Sequence, residues 1–257
     1  MATFELNVWQ TIALAFAGGI IPSLIWLWFW LQEDSQNPEP KRVILRIFLA
    51  GALAVIPSFL LQKASLNYFG EIKILYYEPS WSLSMMQFIL QGIPLFATWA
   101  LIEEAMKLVA AYFGGLHTRD YDEPLDAMIY LITAATGFAA FENMLFLAKT
   151  LYDPNWQFTF LLTGNLRFLG AMVLHIASSA FCGAVIALTA CSSRLKKVIA
   201  VILGLLTATL LHALFNFFII LNEGRDIFKV LLTLWLISVV LIAFFEKVKQ
   251  RICRISF

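Results

Sequence analysis

The chain has 257 residues, of which 61% are hydrophobic and 14% charged, with mean hydropathy +0.80 and a formal net charge of +1. Soluble domains carry about 45–50% apolar and about 25% charged residues, so this composition excludes a soluble globular protein. The near-zero net charge removes the electrostatic basis for nucleic-acid binding.

The sequence predicts an all-α, polytopic transmembrane bundle of about seven spans, at roughly 20 residues per span. It reads as a single integral membrane domain over residues 1–257, with a motif-bearing core at about 81–221. The first span falls at about Val8–Leu31, with Trp26, Trp28 and Trp30 suited to an interfacial aromatic belt. It has no basic leader region or small-residue cleavage site, so it reads as a retained helix. Gln32–Lys41 is a polar loop with two prolines. The second span is about Val43–Leu61, with Pro57 a kink, and a Tyr-rich, charged loop follows at Gln62–Pro79. A third apolar run, from near Trp81 to about Gly114, exceeds one straight crossing, so it tilts, bends at Gly92–Pro94 or protrudes.

The connector Gly114–Asp126 is hydrophilic, and the fourth span is about Ala127–Ala148. Trp156–Phe168 reads as a short interfacial piece with Arg167 near the headgroups, followed by a fifth span at about Leu169–Ala190. The sixth and seventh spans fall at about Val198–Leu221 and Ile227–Phe245, and a basic tail closes the chain. The first, third and fifth loops with the tail hold ten Lys and Arg, against five on the other side. That asymmetry predicts a cytoplasmic C-terminus and an outside N-terminus in the cell membrane. Cys182, Cys191 and Cys253 show no paired spacing and read as small apolar fillers and an incidental tail thiol, not a disulfide framework or a thiolate zinc site.

Charges stand out against this background. Glu103, Glu104 and Lys107 lie in the third apolar run, where each costs about 2.5–3.5 kcal/mol at a bilayer centre. Such groups need partners inside the bundle, and later runs offer Glu142 with Asn143, His175 with Ser178 and Ser179, and His212 with Asn216. Glu103 and Lys107 are four apart, in the favourable order for an ion pair, which would leave Glu104 the freer acid. His212 and Asn216 share a face by the same spacing. A carboxylate held in such a site can take a proton from water, as general-base hydrolysis requires. His117 lies in the hydrophilic connector and is an ordinary surface histidine.

The ordered set EExxK (Glu103, Glu104, Lys107), FxxxEN (Phe138, Glu142, Asn143), HxxxS (His175, Ser179) and HxxxN (His212, Asn216) resembles the PrsW family. That family is grouped with the CAAX-prenyl proteases and Abi-type intramembrane proteases, and the resemblance spans about Glu103–Asn216. It implies an intramembrane endopeptidase, classed with the metallopeptidases, acting on a membrane-anchored substrate of the anti-sigma-factor kind. Carried over by position, Glu103 or Glu104 activates water with help from His175, while His212 and Asn216 serve the oxyanion or the metal. Lys107, Glu142, Asn143 and Ser179 support them. The wider group has EExxxR and a histidine where this chain has EEAMK and Glu142–Asn143.

A zinc ion would find its ligands among Glu104, Glu142, His175 and His212, since catalytic zinc takes about three His or carboxylate ligands and an open position. A metal-free route leaves the carboxylate to polarise water, with His212 and Asn216 donating to the oxyanion. The rival function is a proton- or cation-coupled transporter or channel using the same buried acids and histidines. The partners expected are a membrane-anchored protein or peptide and the lipid bilayer, with no nucleic acid.

Overall fold

The computed structural model describes residues 7–69, 92–221 and 226–251, together with Cys253 and Ile255. All regular secondary structure among the described residues is helical. Helix α1 is Val8–Leu31, α2 Lys41–Phe69, α3 Ile93–Ala111 and α4 Asp126–Thr150. Then come α5 at Trp156–Leu166, α6 at Met172–Leu188, α7 at Arg194–Leu221 and α8 at Ile227–Lys249. A wide π-type turn, Arg167–Ala171, fuses α5 and α6 into one rod, and a second, Tyr112–Leu116, ends α3. Among the described residues, six rods are long and apolar enough to cross a membrane. The seventh, α3, has 19 residues and carries Glu103, Glu104 and Lys107, all buried.

Local chemistry sets several boundaries. Asn7 opens α1 with a capping box: its side chain accepts from Gln10 N at 2.9 Å, and the Gln10 side chain accepts from Asn7 N at 3.0 Å. Pro94 sits in the first turn of α3, where a missing N–H costs nothing.

Helix α4 is the axle. Every residue from Asp126 to Ala140 is buried, and α1, α2 and α6 each approach it at a glycine. A Cβ on Gly19 would lie 2.6 Å from the Ala140 carbonyl, and one on Gly183 would lie 2.7 Å from Met128 Cα. Gly51 packs on the backbone of Ala134, and Gly137 of α4 packs on the backbone of Phe48 in α2. Small residues let membrane helices come this close where the hydrophobic effect gives no drive to associate. Helix α8 buries little of itself.

The first and third loops and the tail meet at one end. Asn37 Nδ2 donates to Glu123 at 3.4 Å, Ile255 N to Asp122 O at 2.9 Å, and Lys249 Nζ to Glu33 at 2.6 Å. The Tyr130 hydroxyl donates to Glu39 at 2.6 Å. Cys191 and Cys253 form a disulfide at this end, which corrects the expectation of unpaired thiols. Their 62-residue separation gives no spacing signal, but α7 runs out and α8 runs back, returning the chain to the same end. Cys182 is free and buried, as expected of an apolar filler.

Two further expectations change. Residues 62–69 belong to α2 and not to a loop, and the rest of the predicted Gln62–Pro79 loop lies outside the described residues, as does the predicted start near Trp81. Trp156–Phe168 is not a separate interfacial piece: it continues through the π-type turn into α6. The turn also directs Arg167 inward, toward α4.

Gly137→Val should therefore lower the thermal midpoint in detergent sharply, because the backbone of Phe48 cannot yield. Gly164→Ala should leave it unchanged, since a Cβ there meets Leu147 at an ordinary 3.7 Å. A second outcome concerns pH. Burial raises the Glu39 carboxyl from 4.5 to about 7. An acid raised in the folded state stabilises fully below its unfolded value and loses that contribution as pH climbs through its folded one. Thermal stability should thus fall between about pH 4.5 and 7, and Glu39→Gln should make that fall shallower, with Asp34, raised by burial to about 7, supplying part of the remainder.

Candidate active site

Helix α3 contributes three charged side chains to the interior, and their pairing differs from the sequence expectation. Lys107 Nζ donates to Glu104 Oε1 at 2.7 Å, an i,i+3 contact, and not to Glu103. The neighbouring helices decide it: Glu104 is met by α6 and α7 and Lys107 reaches α6, while Glu103 takes its hydrogen bond from α2. Glu104 is saturated. Its Oε1 also accepts from Ser178 Oγ at 2.9 Å and His212 Nδ1 at 2.8 Å, and its Oε2 accepts from Ser179 Oγ at 3.0 Å. It is thus the most constrained acid of the site, not the freer one.

Lys107 is fully buried and also donates to His175 Nδ1 at 2.6 Å, with its ammonium 4.9 Å from the Phe138 ring centroid. The other ring nitrogen, Nε2, lies 3.1 Å from Glu142 Oε2. Arg167 donates to Glu142 Oε2 and to Asn143 Oδ1, and its guanidinium lies 3.9 Å from the Phe146 ring. A planar fork that reaches two acceptors and stacks on an aromatic is a use specific to arginine.

Glu103 is different. Its Oε1 accepts from Gln62 Nε2 at 2.8 Å, while its Oε2 is buried with no hydrogen-bond partner. That oxygen lies 3.7 Å from His212 Nε2 and 4.0 Å from His175 Nδ1. Glu103, His175 and His212 can each present one ligand atom within 4.8 Å of the other two. They are the one such group among the described residues.

An orphaned buried carboxylate oxygen beside two imidazoles fits a divalent metal. His212 is prepared for it, with Nδ1 on the Glu104 carboxylate and Nε2 turned to Glu103. A metal taken up here would replace one of the two contacts now made by His175. The formal charges point the same way. Lys107 pairs with Glu104 and Arg167 with Glu142, which leaves Glu103 with no Lys or Arg partner among the described ion pairs.

The cluster forms one wall of a cavity of about 560 Å³ between α2, α3, α4, α6 and α7. Phe59, Phe96, Trp99 and Phe215 give it an apolar lining, and Asn216 adds an amide one turn beyond His212. From the carboxylates it extends past Gln62 and Lys149 toward the end of the bundle opposite the disulfide.

The structure thus gathers Glu103, Glu104, Lys107, Glu142, Asn143, His175, Ser179 and His212, with Asn216 on the same cavity. Of the ligand set suggested by sequence, Glu104 and Glu142 are engaged by internal donors, and Glu103 takes their place in the metal-sized group. His117 stays apart, at the end of the π-type turn after α3. Two residues escaped the sequence reading. Arg167 had a visible signal, a lone cation in a 33-residue apolar rod that also has to satisfy Glu142. Gln62 had none, since it sat where the second span was predicted to end.

Comparison with known proteins adds to the geometry. The chain is 25% identical over 230 residues to "Protease PrsW" of Oceanobacillus iheyensis, covering 90% of this chain and 93% of that protein. It is 28% identical over 131 residues to "Protease PrsW" of Geobacillus kaustophilus and 29% identical over 133 residues to that of Clostridioides difficile. In both of these the match spans about half of each chain, 51% and 51% for the first, 51% and 50% for the second. No solved structure matches significantly. A family model described as "PrsW family intramembrane metalloprotease" matches residues 39–244, from just before α2 into α8. The chain belongs to the PrsW family of intramembrane metalloproteases.

Proposed function

We propose that this chain hydrolyses a peptide bond of a membrane-anchored protein, of the anti-sigma-factor kind, at the cavity wall formed by Glu103, His175 and His212. The observation that carries the reading is the unpartnered, buried Oε2 of Glu103, turned toward two imidazoles beside a cavity of about 560 Å³. Family membership favours this reading over proton- or cation-coupled transport.

Glu103, His175 and His212 would hold a divalent ion such as zinc. Bound there, it supplies a Lewis acid that polarises the scissile carbonyl and makes water acidic enough to attack near neutral pH. The chain's own groups do the rest. Glu142 borders the cavity with both its bonds on Oε2, and it receives the proton from water and returns it to the departing amine. Arg167 holds that carboxylate in place. The Asn216 amide, one turn from His212, donates to the oxyanion. Of the two adjacent acids, Glu103 carries chemistry and Glu104 positions His212 and Lys107.

Purified wild type should contain about one zinc per chain. Glu103→Gln and His212→Ala should each lose the metal and the cleavage of a membrane-anchored reporter while staying folded. Glu104→Gln should act differently, lowering stability by about 3–5 kcal/mol, because it strands a buried Lys107. A folded, active preparation without metal would overturn the metal assignment.

The positive-inside rule places the end holding the basic loops and the disulfide in the cytoplasm, with the cavity extending toward the outer face. With that end in the cytoplasm, where thiols are kept reduced, the Cys191–Cys253 bond of the structure should be opened in cells and re-form on oxidation. Permeant maleimide should label both in intact cells without reductant, and an impermeant one should label neither. Labelling of neither by the permeant reagent, with recovery after reduction, would reverse the orientation.

A further inference from the structure

The site holds three carboxylates, and each has a side-chain donor fixing it. For Glu104 the donors include the Lys107 ammonium, and for Glu142 the Arg167 guanidinium. For Glu103 the donor is neutral: the Gln62 amide reaches Oε1 at 2.8 Å from α2. The last torsion of a glutamate is broad and nearly two-fold, so the carboxylate has no intrinsic preference for which oxygen faces which neighbour. A donor on one side removes that freedom. With Oε1 held by Gln62, Oε2 is the atom left 3.7 Å from His212 Nε2 and 4.0 Å from His175 Nδ1. Because the donor is uncharged, it orients the carboxylate without neutralising it.

A second contact separates this from ordinary helix packing. One turn further along α2, Ser65 Oγ accepts from Trp99 Nε1 at 3.0 Å, and Trp99 stands one turn before Glu103 on α3. The two helices are therefore fastened beside Gln62 by a bond that does not touch Glu103. Losing the Gln62 amide leaves the helix pair joined and releases only the carboxylate.

We infer that Gln62 is a positioning residue whose amide holds one oxygen of Glu103 so that the other stays turned to the imidazoles of His175 and His212. The inference rests on the reading of Glu103 as the carboxylate that faces the metal. Partners that orient ligands in this way are worth about 10–100-fold in metal affinity or activity.

The test compares Gln62→Met, which keeps length and removes the donor, with Ser65→Ala, which removes the neighbouring helix-to-helix bond and the Ser65 bond to the Gln62 main-chain carbonyl but leaves the Gln62 amide in place. Both are made in the full chain in detergent. Zinc affinity is read by competition with a chromophoric chelator, alongside thermal midpoint and the kcat and KM for a membrane-anchored reporter. Gln62→Met should weaken zinc binding about 10–100-fold and lower kcat at unchanged KM, while Ser65→Ala keeps wild-type values for all three. Equal effects from the two variants, or wild-type zinc affinity and kcat in Gln62→Met, would overturn the assignment. Should Gln62→Met not fold, Gln62→Ala is read by the same criteria. Wild type that cleaves without zinc would remove the metal reading alone. The Gln62 assignment then stands or falls on whether kcat drops in Gln62→Met and not in Ser65→Ala.

Discussion

The bundle depends on the buried pair of Glu104 and Lys107. Lys107 is completely enclosed and Glu104 nearly so, at 0% and 2% exposure, in a chain whose surroundings are lipid. A lone charge at that depth would not be tolerated. The pair is tolerated because it is shared. Glu104 receives donors from α3, α6 and α7, and Lys107 reaches across to His175. Breaking a pair of this kind by removing one partner is far costlier than its net contribution to stability, since the other charge is left stranded. The arrangement therefore specifies how three helices sit against one another more than it stabilises them.

That rigidity has a use. The donors that saturate Glu104 are the groups that aim the histidines. The Nδ1 of His212 is committed to Glu104 and that of His175 to Lys107, so each ring turns a defined edge to its surroundings. Glu103, one residue earlier, takes a donor from α2 on one oxygen and borders the cavity, with its other oxygen left beside the same two imidazoles. Adjacent acids on one helix thus separate into one with both oxygens engaged and one with an open oxygen, because successive positions differ by about 100° around the axis. The Arg167 clasp repeats the principle on the far side, fixing Glu142 next to His175.

Packing and polar bonding divide the work. Helix α4 is gripped at glycines and small residues from α1, α2 and α6, which places its backbone at close range and delivers Glu142 to the cavity and Asn143 to Arg167. The π-type turn at Arg167–Ala171 makes a complementary adjustment: one extra residue in the turn shifts the helical register and brings Arg167 to face α4. The polar side chains of the candidate site are positioned from rods rather than loops, as suits a setting where unpaired backbone would be costly.

The sequence by itself determined the class and the ingredients. Its hydropathy demanded a helical membrane bundle, and its rare intramembrane acids, amides and imidazoles, in order on successive helices, marked the family and a candidate site. It matched the bounds of α1 because polar loops and capping residues are local signals. It misjudged the Glu103–Lys107 pair, because i,i+3 and i,i+4 partners are equally near on an isolated helix and neighbouring helices choose between them. It missed Gln62, Arg167 and the Cys191–Cys253 bond for a related reason. Each is made by residues from different segments, and sequence carries no distance between segments. Which carboxylate is saturated and which keeps an open oxygen was decided only by tertiary structure, because hydrogen-bond satisfaction belongs to the packed bundle and not to any one helix.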